Sequence, residues 1–141
     1  MLVAAGILIF LAIILLDALT AFRETSALDQ AVDSTIGYLR EAREKTLGSE
    51  NASVYGVHFT PTAVTYFRGG VYDPADALNV VHTLSAFISI SSIALSTTTA
   101  NIVFDRLTGE SSVTGTITFS AAKSGRTKTI QIFSSGLTAK Q

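Results

Sequence analysis

MLVAAGILIFLAIILL, residues 1–16, contains no charged, amide or hydroxyl side chain. A helix rises about 1.5 Å per residue, so this run covers roughly 24 Å, whereas the hydrocarbon core of a bilayer is about 30 Å thick. Residues 18–22 could extend the run, but only with Asp17 inside it, and burying that charge is costly near mid-bilayer and cheaper near the interface. The stretch therefore predicts a hydrophobic helix covered by lipid or by other protein.

Three interpretations of this run are open. A secretory signal peptide has a basic region first and small residues at its cleavage site, whereas Arg23 is the first basic residue here and Leu19-Thr20-Ala21 is a poor cleavage site. An ordinary single-span anchor has flanking charges that set its orientation, and no charged side chain precedes this run. In the third interpretation, the chain starts inside a longer hydrophobic segment whose first residues are missing.

The next segment, residues 17–47, contains no proline and one glycine, Gly37. Its apolar residues recur mostly at a spacing of three to four, at Leu28, Val32, Ile36 (or Thr35), Leu39, Ala42 and Leu47. This spacing is typical of an amphipathic helix, and Gly48 just beyond it is a candidate C-cap. With no proline to break it, we expect one continuous helix from near Met1 to about Leu47, roughly 70 Å long.

After Gly48 the hydrophobic period changes to two. Short apolar runs bounded by turn residues predict strands at 53–59, 63–67, 80–84, 87–95, 100–104, 113–121 and 127–133. Short strands that follow one helix are typical of an α+β fold with an antiparallel sheet. We expect the helix to pack on this sheet through its apolar stripe, namely Leu28, Val32, Ile36 and Leu39.

Three parts of the chain resemble one protein family. MLVAAGIL at 1–8 closely resembles the stretch just after the phenylalanine and glutamate of a mature type IV pilin. LREAR at 39–43 followed by YGVHF at 55–59 resembles the helix-to-strand passage of minor pseudopilin H and its pilin relatives. The C-terminal part resembles the strand pattern of the same family, in IVF at 102–104, Gly109, TIQI at 129–132 and Gly136. The chain differs from many pilins because it has no cysteine pair near its C-terminus.

The resemblance implies a long N-terminal helix packed on a sheet domain. It divides the chain into an apolar membrane-anchor and filament-core helix at 1–22, its amphipathic continuation at 23–48 and a β-sheet domain at 49–141. It also implies that a few residues, including the family's glutamate, belong in front of Met1. The filament core would be formed by the apolar segment through Met1, Leu2, Val3, Gly6, Ile7, Ile9, Phe10, Ile13 and Leu16.

No arrangement of residues indicates catalysis or a cofactor. The chain has no cysteine, which excludes disulfides and thiolate sites, and it contains no G-x-S-x-G motif. His58 and His82 lie in separate predicted strands, and Asp73 with Asp76 lacks the spacing of a calcium-binding loop. We therefore expect no catalytic residue, no metal, no cofactor and no small-molecule substrate, so the chain is not expected to be an enzyme.

Two surface features suggest modification or binding. Asn51-Ala52-Ser53 fits the glycosylation sequon, which also occurs by chance, so Asn51 is a candidate glycosylation site. Near the C-terminus there is a small basic group, Lys123, Arg126 and Lys128, with Lys140 beyond it. If the subunit repeats along a filament, many copies of this group would together bind phosphates more strongly than one copy does. That gives a hypothesis of weak DNA or surface contact, and the alternative is a turn made soluble by its charges.

These features together favour a structural subunit. We expect it to polymerise through its apolar helix into an extracellular type IV pilus-like filament for adhesion, motility or surface interaction. It would be inserted in the cytoplasmic (inner) membrane before assembly, and its partners would be other copies of itself, the prepilin peptidase and the pilus assembly machinery. The alternatives are a minor pseudopilin of a type II secretion or DNA-uptake machine, and a membrane-anchored surface binding module.

Overall fold

A computed structural model of the chain describes the backbone over residues 2–141 and the side chains over residues 18–141. Helix α1 spans Leu2–Leu47 without interruption, as expected for a segment without proline. The predicted filament-core side chains all precede residue 17 and lie outside the side chains that are described. Within residues 18–141, no helix is both long and apolar enough to cross a membrane.

Eight strands follow α1 within the described residues, after a 3-10 turn at Glu50–Ala52. They are β1 (Tyr55–Thr60), β2 (Ala63–Arg68), β3 (Val80–Thr83), β4 (Ile88–Leu95), β5 (Asn101–Val103), β6 (Gly115–Ala121), β7 (Thr127–Ile132) and β8 (Thr138–Lys140). The first sheet has the order β3-β2-β1-β5 and the second sheet the order β4-β6-β7-β8. All neighbouring strands are antiparallel, so the fold is α+β with one N-terminal helix and two antiparallel sheets.

The second sheet departs from the single sheet that the sequence predicted. Strand β4 follows β3 after a short connection, yet it pairs with β6 rather than with a strand of the first sheet. The register of β4 shifts between Ile90 and Ser92, and a bulge of this kind bends a strand. Alternation identifies the buried face of a strand but does not identify its neighbour, which is why one sheet was expected.

One hydrophobic core joins α1 to both sheets. The four residues expected to pack on the sheet, Leu28, Val32, Ile36 and Leu39, are at most 8% exposed. The sheets contribute fully buried side chains to the same core, namely those of Val57, Ile102, Ile117, Phe119 and Ile130 in the strands and of Phe104 just after β5. Burying one such side chain contributes about 1.5–3 kcal/mol, so this stripe is what holds α1 against the sheets.

The end of α1 differs from the prediction in two details. Leu47 is 37% exposed, whereas Thr46 is fully buried because the stripe advances by three to four residues from Ala42. The Thr46 hydroxyl donates to the Ala42 carbonyl at 2.8 Å and accepts from the Tyr55 N–H at 2.9 Å, which satisfies it inside the core. The left-handed residue after the helix is Ser49, with φ 49°, rather than Gly48.

Candidate functional site

Among the described side chains of helix α1, which start at residue 18, burial against the sheets begins at Glu24. Among the residues just before Glu24, Leu19 is 52% and Phe22 is 73% exposed, and Thr20 is half-buried. Glu24 is the first buried side chain of the described part of the helix, at 1% exposure. We call residues 18–24, together with the β6–β7 turn at 122–126, the helix exit.

Glu24 attaches α1 to the β6–β7 turn. Its carboxylate oxygens accept hydrogen bonds from the backbone N–H groups of Lys123 at 3.2 Å and Ser124 at 2.9 Å. Burial by itself raises the pKa of Glu24, but hydrogen bonds from Ser124 and Lys123 and the charge of Lys123 outweigh it, so the pKa lies below its usual value. Glu24 was not among the residues predicted from the sequence, although it precedes Leu28 by four positions and so falls on the apolar stripe.

Three exposed basic side chains surround the helix exit. Arg23 precedes Glu24, and Lys123 and Arg126 belong to the β6–β7 turn. Arg126 donates from Nη1 to the Thr25 hydroxyl at 3.0 Å. Within residues 18–141, none of the three cations has a carboxylate within ion-pair distance, so this end of the domain has an excess of positive charge.

The predicted basic group is divided into two parts by the structure. Lys128 on β7 pairs with Asp29, and Lys140 on β8 bridges Asp29 at 3.0 Å and Asp33 at 2.9 Å. Hydrogen bonds from Lys128 and Lys140 hold the pKa of Asp29 below its usual range. Two of the four cations thus hold the second sheet against α1, and only Lys123 and Arg126 remain for an external anion.

The other end of α1 is attached to two glycines. Arg43 donates from Nε to the Gly109 carbonyl at 2.9 Å, and a side chain on Gly136 would lie 2.1 Å from that same carbonyl. Both glycines have positive φ, 65° for Gly109 and 73° for Gly136. The helix, the β5–β6 connection and the β7–β8 turn therefore meet in one close backbone junction, which only glycine allows.

The two histidines have separate local partners. His58 Nδ1 lies 2.6 Å from the Asn101 amide oxygen, and its ring stacks on Tyr72 at 3.9 Å between centroids. His82 stacks on Tyr38 at 3.9 Å, and its Nδ1 lies 3.0 Å from the Tyr38 hydroxyl. These contacts fix the rings on the surface of the first sheet without bringing them together.

The loop between β2 and β3 contains the two aspartates considered for calcium. Asp73 accepts from the Ala75 N–H and Asp76 from the Leu78 N–H, each at 2.9 Å, as in Asx turns. In the part of the chain with described side chains, no group of three or more His, Asp or Glu residues is positioned to hold a metal ion. The aspartates are therefore explained by local turn geometry.

Asn51 is exposed within the 3-10 turn that follows α1. It has a positive φ of 53°, a conformation that asparagine tolerates better than most residues. Its side-chain nitrogen donates to the Tyr55 hydroxyl at 2.9 Å. A glycan would replace one of the two hydrogens of this nitrogen, so the sugar would lie beside the Tyr55 hydroxyl.

A groove of about 270 Å³ lies between α1 and the end of the first sheet. Its helix side includes the small residues Ala27, Ala31 and Ser34 beside larger ones such as Tyr38, and its far side includes His82 and Leu84. The lining contains no Asp, Glu, Lys or Arg. The hydroxyl of Tyr38 and the imidazole of His82, which lie 3.0 Å apart, are both part of its lining.

No protein-family model matches the chain, and neither does any curated protein or solved structure. The arrangement of two sheets on one long helix is thus known from the described residues alone. A function has to be inferred from what this arrangement leaves exposed along α1 and at its two ends.

Proposed function

We propose that this chain is a structural subunit of an extracellular type IV pilus-like filament. One observation carries the proposal: α1 is a single helix over Leu2–Leu47, and within its described side chains, from residue 18 onward, the first buried one is Glu24, with Leu19 and Phe22 exposed. The sequence before them, residues 1–16, has no polar side chain. Such a segment requires cover from outside its own domain, which lipid supplies before assembly and other copies supply afterwards.

The attachment of α1 to the sheets suits this role. The second half of the helix is held to the sheet domain by three kinds of contact: the apolar stripe around Val32, the hydrogen bonds of Glu24 and the ion pairs of Asp29. Because no proline interrupts α1, its apolar half continues as one helix into the half that is held on the sheets. Copies would associate through head-to-tail contacts that do not close into a ring, which produces a helical polymer.

The test is filament formation by the full chain and by variants charged in the apolar segment. Filaments sheared from expressing cells are imaged, and their subunits are identified by mass spectrometry. We expect the unaltered chain to be abundant in them and Ile9→Lys to abolish assembly, since a charge in the core costs several kcal/mol. Thr98→Lys, in an exposed loop, is the matched control. Normal filaments from Ile9→Lys would contradict the proposal.

A minor pseudopilin is the second candidate, and one contact favours it. Arg43 belongs to the helix-to-strand passage, and Gly109 and Gly136 to the C-terminal part, that resemble minor pseudopilin H and its relatives, and the three residues meet in one junction. The number of copies per filament separates the two functions. A filament composed mainly of this chain supports the first, whereas a trace amount confined to filament tips supports the second.

A further inference from the structure

The β6–β7 turn is fixed beside the start of the polar half of α1. Glu24 accepts from the backbone N–H groups of Lys123 and Ser124, and Thr25 accepts from Arg126. Glu24 and Thr25 directly follow Arg23 in the helix. Basic side chains from two distant parts of the sequence are therefore held at nearly the same level along the helix axis.

That level coincides with the expected end of the apolar segment. A helix of 22 residues is about 33 Å long, close to the thickness of a hydrocarbon core of about 30 Å. If residues 1–22 cross a bilayer, Arg23 lies at its surface, and the β6–β7 turn lies there with it. Leu19 and Phe22, which are exposed in the isolated chain, would then be covered by lipid.

The charges at this level favour an anionic partner. Arg23, Lys123 and Arg126 are exposed and form no ion pair within residues 18–141. Glu24 is buried and hydrogen-bonded to the turn, and Asp29 is paired with Lys128 and Lys140. Asp17 is an acidic residue of the predicted anchor, and its side chain lies outside those described.

We infer that Arg23, Lys123 and Arg126 form a docking surface for the phosphate groups of anionic lipids, which seats the sheet domain on the membrane before assembly. The inference rests on the proposed function, because it requires residues 1–22 to lie in the membrane. Each basic residue near an anionic surface strengthens attraction roughly fivefold. Replacing Lys123 and Arg126 together should therefore weaken this attraction about 25-fold, while the anchor keeps the chain in the membrane.

The experiment measures how accessible the β6–β7 turn is in membranes. The chain has no cysteine, so a Thr127→Cys variant places one reporter thiol beside Arg126, and Leu107→Cys places one on an 87% exposed residue near the opposite end of α1. The full chain is reconstituted in phosphatidylcholine vesicles with or without phosphatidylglycerol at low salt. The measured quantity is the rate of labelling by a water-soluble maleimide.

We expect Thr127→Cys to be labelled at least about fivefold more slowly in the anionic vesicles, and Leu107→Cys to be labelled equally in both. Adding Lys123→Gln and Arg126→Gln, or raising the salt to about 1 M, should restore the fast rate. Both replaced side chains are exposed, so loss of folding is not expected, and circular dichroism checks it.

Three results would overturn the inference. Equal labelling of Thr127→Cys in the two kinds of vesicle would show that the basic side chains do not dock on anionic lipids, and it would leave the proposed function intact. Protection by duplex DNA in phosphatidylcholine vesicles, without protection by phosphatidylglycerol, would reassign the cations to a nucleic acid. A chain that floats with neither kind of vesicle would defeat the membrane anchor, and the proposed function with it.

Discussion

The Arg43 guanidinium donates from Nε to the carbonyl oxygen of Gly109 at 2.9 Å, which links the last turns of α1 to the connection between β5 and β6. Gly136 packs on the same carbonyl. The contact spans 66 residues of sequence and brings together both sheets and the helix. It is the counterpart, at the far end of the sheet domain, of the Glu24 hydrogen bonds at the helix exit.

Replacing Arg43 by leucine should destabilise the fold by about 1.5–3 kcal/mol, because hydrogen bonds to charged groups have this value and the Gly109 carbonyl would lose its donor. Urea unfolding of the full chain in mild detergent measures the change. The control is Arg40→Leu, whose exposed side chain should contribute within about 0.5 kcal/mol. Equal stability of the two variants would show that the Arg43 contact contributes nothing.

Gly136→Ala should cost about 2–5 kcal/mol. A left-handed conformation costs an alanine about 1–2 kcal/mol, and here the new methyl group would also lie 2.1 Å from the Gly109 carbonyl oxygen, which adds about 1–3 kcal/mol of overpacking. Gly125 is a matched control, because its φ of 64° is similar but no atom lies within 4 Å of an added Cβ.

Gly125→Ala should therefore show only the conformational cost, about 1–2 kcal/mol. The difference between the two variants, measured as a shift in the urea midpoint at constant m-value, isolates the steric contact at the junction. A difference near zero would mean that the two backbones move apart to admit the methyl group.

Local sequence signals predicted most of the elements. The absence of proline predicted a continuous α1, and its three-to-four spacing identified Leu28, Val32 and Leu39, which are all buried. In the strand predicted at 113–121, period-two alternation puts Ile117 and Phe119 on the same face, and both are fully buried. These signals succeed because each depends on the geometry of a single helix or strand.

Contacts between distant segments were not predictable in the same way. The division into two sheets depends on strand pairing, which alternation does not specify. Strand β8 is three residues long and carries too few residues for a pattern. The ion pairs of Asp29 with Lys128 and Lys140 span 99 and 111 residues, and nothing in either local sequence indicates the partner.

The apolar stripe of α1 can be tested at Leu39. Leu39→Ala should cost about 2–5 kcal/mol, because the side chain is 1% exposed in the shared core and its removal leaves a cavity. Leu137→Ala, at a position that is 57% exposed, should stay within about 0.5 kcal/mol of the unaltered chain. Similar losses from both variants would mean that α1 is not held by its stripe.

The helix exit should weaken in acid. Burial tends to raise the pKa of Glu24, but the hydrogen bonds from Ser124 and Lys123 lower it overall in the folded chain. As the pH falls, Glu24 is therefore protonated in the unfolded chain, near pH 4.3, before it is protonated in the folded chain. The stability that Glu24 contributes is complete above that pH and is lost as the pH falls through the pKa of the folded chain. Hydrogen bonds from Lys128 and Lys140 lower the pKa of Asp29 in the same way, so the stability that Asp29 contributes is also lost in acid.

A titration of stability separates Glu24 from the other carboxylates. Urea midpoints measured between pH 7 and pH 3 should fall below about pH 4.3 for the unaltered chain, and they should fall less steeply for Glu24→Gln, which has no proton to gain. Glu44→Gln, which removes an exposed carboxylate of the same helix, should keep the steeper fall. If Glu24→Gln and the unaltered chain lost stability in parallel, the Glu24 carboxylate would not be what fastens α1 to the β6–β7 turn.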